Sequence, residues 1–177
     1  MKIGLIRHFK VDVRSQNFLN SSGFDESMRN YDRAEIIPKR VELTNNEWQR
    51  CISSTLPRAK ETASAIFSGE ILFTDMLVEV PMRSFWNTDI KIPSFIWHIG
   101  ARIAWKRNHS SQIETYAATQ IRVNEFIEKF IRSNDKNTLI VTHGFFMRQL
   151  YKALIKEGFE GKIDEVPKNG VVYVLSR

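Results

Sequence analysis

Two histidines in this chain each sit at the end of a short apolar run. Arg7-His8 closes KIGLI (2–6), and His143-Gly144 follows TLIVT (138–142). Arg58 stands just past a third run, CISS (51–54), and Glu79 a few residues past a fourth, EILFT (70–74). Two histidines, two arginines and a carboxylate make a toolkit for phosphoryl chemistry. An arginine stays charged and can hold phosphoryl oxygens two at a time. An imidazole can attack phosphorus and carry the group covalently. A carboxylate can protonate a leaving oxygen and later take a proton from water. Any one of these residues alone reads as a surface charge or an ordinary histidine. Their meaning depends on whether the fold brings them together.

The elements around them predict that it does. Short aliphatic runs without polar alternation predict strands buried on both faces at 2–6, 51–54, 70–74, 138–142 and 171–175. Helices are expected at 57–67, where Pro57 opens the first turn, and at 145–156, where Phe146, Leu150, Ala153 and Leu154 share a face. A third is expected within 111–131, on a stripe running from Ile113 through Tyr116, Ala117, Ile121 and Ile127 to Ile131. Strands alternating with helices predict an α/β fold, a three-layer α/β/α sandwich with a mostly parallel central sheet. In such sheets ligands bind outside the carboxyl ends of the strands, where Arg7, His8, Arg58, Glu79 and His143 would meet.

Two regions break the rhythm. Residues 14–36 read as a loop followed by a short helix near 24–33. Residues 84–110 carry Phe85, Trp86, Phe95, Trp97 and Trp105 with Lys91, Arg102, Lys106 and Arg107. This segment reads either as a lid covering one side of the cleft or as an irregular helical packing segment.

Length and composition limit the remaining choices. At 177 residues the chain is expected to form a single domain, 1–177, with 84–110 as its insertion. A net charge of +6, spread without a basic block, suits an anionic small molecule at least as well as a nucleic acid. No nucleic-acid partner is expected, because the aromatic insertion lacks the alternation of a base-stacking strand platform. Cys51 is the lone cysteine and opens an expected strand; no glycine lies between it and Arg58, so a cysteine-based nucleophile is not expected. Arginines beside the histidines are poor company for a metal ion, and neither HExxH nor GxGxxG occurs, so neither metal nor cofactor is expected. No apolar run is long enough to span a bilayer or form a signal-peptide core. The expectation is a cytoplasmic protein without a membrane partner, its oligomeric state unread.

Four segments, in chain order, carry a family resemblance. IGLIRHFK resembles the strand and RHG motif that opens members of the histidine phosphatase (phosphoglycerate mutase-like) superfamily. SSTLPRAKETA is similar to its second block, and LIVTHGFFMR to its third; LVE at 77–79 resembles the family's L-x-E. The matches span residues 3–148. The resemblance implies a phosphoglycerate mutase-like fold, with His8 as a phosphorylated nucleophile. It implies that Arg7, Arg58 and His143 surround the phosphoryl group and that Glu79 serves as acid and base. The implied activity is metal-independent hydrolysis of a small phosphorylated metabolite through phosphohistidine. Mutase-type phosphoryl transfer and non-catalytic phosphate binding are the alternatives, and the shortness of the chain favours water as the acceptor.

Two positions depart from the pattern. Phe9 replaces the glycine after RH, and Arg14 replaces an asparagine six residues after the histidine. Phe9 is expected either to wall the substrate pocket or to enter the core. Lys10 and Arg14 are expected either to make the mouth more cationic or to be solvated loop charges.

Overall fold

A computed structural model describes residues 1–41, 43 and 48–177. Among these, five strands form one sheet: β1 (Lys2–Arg7), β3 (Arg50–Ser54), β4 (Ile71–Thr74), β6 (Thr138–Thr142) and β7 (Val172–Ser176). A two-stranded ribbon joins β2 (Phe18–Leu19) to β5 (Ile92–Pro93). The helices are α1 (Ser21–Arg33), α2 (Pro57–Ile66), α3 (Ser94–Lys106), α4 (Tyr116–Ile127) and α5 (Gly144–Lys156). All five expected core strands are present, each within a residue of the expected bounds.

The sheet runs β4-β3-β6-β1-β7. The first four strands are parallel and β7 joins β1 antiparallel at one edge. Strand alternation divides the core. Ile3, Leu5, Ile52, Ile140 and Leu175 face α4 and α5 on one side, while Ile6, Cys51, Leu139 and Val141 face α2 on the other. Gly4 belongs to the second side because a Cβ there would come within 2.7 Å of the Trp48 ring. This is the mixed α/β, phosphoglycerate mutase-like arrangement, with a mostly parallel sheet covered on both faces.

Three details differ from the sequence reading. Strand β4 lies at a sheet edge, so Leu72 and Phe73 are exposed instead of buried on both faces. The helix expected from residue 111 begins at Tyr116, where Thr115 caps it by accepting from the Ala118 N–H at 3.3 Å; beyond Ile127 it widens into a π turn over Glu128–Arg132. Its buried side is Thr119, Val123, Phe126, Ile127 and Ile131, whereas Ile113 and Ile121 are exposed. Thr119 explains the misreading: its hydroxyl accepts from Trp105 Nε1 at 3.0 Å and donates to the Thr115 carbonyl at 3.0 Å, so a polar residue occupies the core stripe.

The two interruptions fold against each other. The Phe24 ring stacks on Trp97 at 5.7 Å between centroids, and Trp97 Nε1 donates to the Leu19 carbonyl at 2.7 Å. With Leu19 and Ala101 these rings form a small separate core. The Ser84 N–H adds a bond to Asp25 Oδ1 at 2.7 Å. Helix α1 starts at Ser21, earlier than expected, because Asn20 accepts from the Gly23 N–H at 3.0 Å and caps it. Among the described residues, no helix is long and apolar enough to cross a membrane.

Candidate active site

The carboxyl ends of β1, β3 and β6 place three basic groups within reach of one another. His8, just past β1, donates through Nδ1 to the Phe9 carbonyl at 2.5 Å, which leaves the lone pair on Nε2. Arg58 Nε donates to that Nε2 at 3.2 Å. The His8 and His143 rings lie 5.1 Å apart between centroids. Burial, reinforced by Arg58, pushes His8 down to about 3 despite an upward pull from the Phe9 carbonyl. Burial and then Arg58 also drive His143 well below the usual histidine range. Both rings are therefore neutral at ordinary pH.

The backbone under His8 is held from distant segments. The Phe9 N–H donates to Thr62 Oγ1 at 2.9 Å, Asn169 Nδ2 donates to the His8 carbonyl at 2.6 Å, and the Gly170 N–H donates to the Arg7 carbonyl at 2.9 Å. Arg7 Nη1 donates to the Pro167 carbonyl at 2.9 Å, but its Nε is buried without a hydrogen-bond partner among the described residues. Gly144 permits this approach, since a Cβ there would lie 3.0 Å from Arg7 Nε. His143 Nε2 meets Ser54 Oγ at 2.8 Å. Ser54 Oγ also accepts from the Leu56 N–H at 3.2 Å. His143 Nδ1 is the second buried polar atom without a partner among the described residues.

Arg58 is fixed from the other side by α1. Its Nη1 pairs with Asp32 Oδ1 at 2.9 Å, and its guanidinium lies 5.1 Å from the Tyr31 ring centroid. Glu79 takes a place the sequence did not foretell. Its Oε1 accepts from the Val80 and Phe146 N–H groups at 2.9 Å each, and its Oε2 from the Phe145 N–H at 3.1 Å. The carboxylate thus closes the first turn of α5 as well as facing the cleft. Arg122 braces the approach to it, donating to the Met76 carbonyl at 3.0 Å and the Val78 carbonyl at 2.8 Å while pairing with Glu114 at 2.8 Å.

A cleft of about 740 Å³ opens over these groups. Arg7, Arg58 and Glu79 line it, whereas His8 and His143 are buried behind the lining. From the paired insertions come Tyr31, Asp32, His98 and Arg102. The Arg102 guanidinium stacks 3.6 Å from the Phe145 ring centroid and donates to the Val80 carbonyl at 3.2 Å. Burial pushes it down to about 10, with Glu79 pulling the other way.

The structure does not bring Phe9, Lys10 or Arg14 to the cleft. Phe9 is 1% exposed, and a Cβ at Gly170 would fall 2.9 Å from its ring. Lys10 and Arg14 are exposed and outside the lining. Cys51 is buried in β3, which pushes its thiol up to about 12, away from nucleophilic use. Among the described residues, no three His, Cys, Asp or Glu side chains group as metal ligands.

The family model described as histidine phosphatase superfamily (branch 1) matches residues 4–176. The chain belongs to that superfamily. No curated protein matches the sequence. Solved structures agree in fold. The α-ribazole phosphatase of Shigella flexneri superposes with a TM-score of 0.61 at 19% identity, covering 98% of this chain and 89% of that one. A phosphoserine phosphatase of Entamoeba histolytica, solved with 3-phosphoglyceric acid, gives 0.53 at 14% identity over 98% and 89%. A mycobacterial glucosyl-3-phosphoglycerate phosphatase gives 0.50 at 19% identity over 88% and 79%. Within this histidine phosphatase chain, sequence reasoning overlooked Ser54, Tyr31, Asp32, Asn169 and Arg122, whereas Arg102 lies in the 84–110 segment read as a lid. Of these, only Ser54 lay in a motif, the SSTLPRAKETA block; the others reach the site from segments without a local signal.

Proposed function

We propose that the protein is a metal-independent phosphomonoester hydrolase acting on a small phosphorylated metabolite through phosphohistidine at His8. The observation that carries this reading is the pair of buried polar atoms without partners among the described residues, Arg7 Nε and His143 Nδ1 (a donor in the tautomer with its proton there), beside a neutral imidazole whose lone pair is on Nε2. Leaving such groups unmet costs about 1–3 kcal/mol each, and non-bridging phosphoryl oxygens would satisfy them.

In the first step His8 Nε2 attacks phosphorus and the ester P–O bond breaks. Nε2 has one lone pair, so Arg58 must leave it and turn its N–H groups to the phosphoryl oxygens. The departing alkoxide takes a proton from Glu79. Oε1 of Glu79 accepts two N–H groups and Oε2 only one, so Oε2 is the oxygen with a lone pair left to carry that proton. In the second step Glu79 takes a proton from water as the water attacks phosphorus, and the P–N bond breaks to release phosphate and neutral His8. His98, Arg102 and Tyr31 are positioned to meet the leaving group, which gives the 84–110 segment the role of a substrate-contacting wall.

Rapid acid quench with labelled phosphate ester tests the reading. Acid-labile, base-stable label on wild type and none on His8→Ala is the expected result. Turnover by H8A at the wild-type rate, or activity abolished by a chelator and restored by a divalent ion, would overturn it.

A further inference from the structure

Helix α3 buries one side and leaves the opposite side bare. Trp97, Ala101, Ala104 and Trp105 face inward, while Phe95, Ile99 and Ile103, spaced by four, are 60%, 56% and 48% exposed. Ile96 is exposed beside them, as is Phe18, which pairs across the ribbon with Pro93 just ahead of the helix. Together these side chains present an apolar area on the order of several hundred Å², at the upper end of what monomers leave in water. From Ile90 to Ile113 the charged residues have one sign. Lys106 shares the outward face one turn beyond Ile103, Arg107 follows it, Lys91 precedes the helix, and no acidic residue lies between Asp89 and Glu114.

A second copy of the chain is a poor cover for this face. Two copies of α3 packed antiparallel would set Lys91 of one against Lys106 and Arg107 of the other, and packed parallel would oppose like ends. An apolar row with cations and no acids instead matches a lipid surface, where the apolar side chains enter the acyl boundary and the cations meet anionic headgroups. No spanning helix is required for that.

We propose that the outward face of α3 docks the protein on anionic phospholipid bilayers. His98 and Arg102 lie on the neighbouring flank of the same helix and line the cleft, so docking sets the cleft mouth beside the headgroup layer. Flotation of the whole chain with vesicles tests this, comparing phosphatidylcholine alone with phosphatidylcholine containing phosphatidylglycerol. Wild type is expected to bind the anionic vesicles about a hundredfold more tightly, given three cations near the surface. The double variant I99S/I103S, which replaces no residue lining the cleft, is expected to keep its hydrolytic activity and lose at least tenfold in vesicle affinity. The variant K106E/R107E is expected to lose the preference for anionic lipid. Absence of binding to anionic vesicles, or undiminished binding by I99S/I103S, would overturn the proposal. So would a dimer in sedimentation that I99S/I103S dissociates, because a second copy would then be covering the face.

Discussion

Acid should unfold this protein in part through His8, and the size of the effect follows from its surroundings. In the native state burial and Arg58 keep the ring neutral down to about 3. In the unfolded chain the same ring takes a proton near 6.5. Stability is therefore fully present above about 6.5 and is lost as pH falls from there towards 3, because over that window only the unfolded state binds the proton. The whole window is worth about 5 kcal/mol, and the stretch from pH 6 to pH 4 about 2–3 kcal/mol. Carboxylates titrate in the same range, so the comparison must be made against a chain without this imidazole. His8→Gln serves, since its amide oxygen can accept from Arg58 Nε as Nε2 does. Urea midpoints at pH 7, 6, 5 and 4, converted with a common m-value, should show H8Q losing about 2–3 kcal/mol less than wild type between pH 6 and 4. Parallel pH profiles for the two proteins would refute the reasoning, for they would mean that His8 titrates alike in both states.

Two further variants can be measured at the site. Glu79→Gln offers one acceptor oxygen and a donor NH₂ to three backbone N–H groups, so it should lower stability by about 1–2 kcal/mol in thermal or urea unfolding. It should also slow the burst phase on the order of 10²-fold with an alkyl phosphate but far less with p-nitrophenyl phosphate, whose leaving group needs little protonation. Asp32→Asn removes a half-exposed carboxylate that competes with phosphoryl oxygens for Arg58, so inorganic phosphate should inhibit D32N with a Ki roughly fivefold lower than wild type. An unchanged or higher Ki would show that Asp32 does not compete.

Much of the fold was legible because the sheet is built from short apolar-rich runs without polar alternation. Leu139, Ile140 and Val141 have to be covered on both faces, and only a central strand does that. Arg7-His8 and His143-Gly144 were legible because each directly follows such a run. Helix α4 was misregistered because Thr119 is a buried polar residue, satisfied by a tryptophan and a backbone carbonyl that periodicity cannot see. The bond between Glu79 and the start of α5 joins residues 66 and 67 positions apart, and nothing near either end announces it. The same holds for the joining of 14–36 to 84–110, which combines a ribbon two residues long, an aromatic stack and single hydrogen bonds from Trp97 and Ser84. Sequence pattern reports what must be buried; it does not report which distant partner does the burying.

The stitching of the His8 backbone to Asn169 has a consequence for how the protein comes into being. The two residues are 161 positions apart, and the Arg7 contact to Pro167 is 160. A ribosome adding about 5–20 residues per second delivers Asn169 roughly 8–30 s after His8. For most of that interval β1 also lacks its neighbour β6, and its other neighbour β7 follows Asn169 in the chain. The loop that carries His8 therefore cannot settle while the chain is being made, although its own residues are among the first to emerge. The imidazole takes its final setting only once the far segment arrives, so a nascent chain carries His8 without its native geometry.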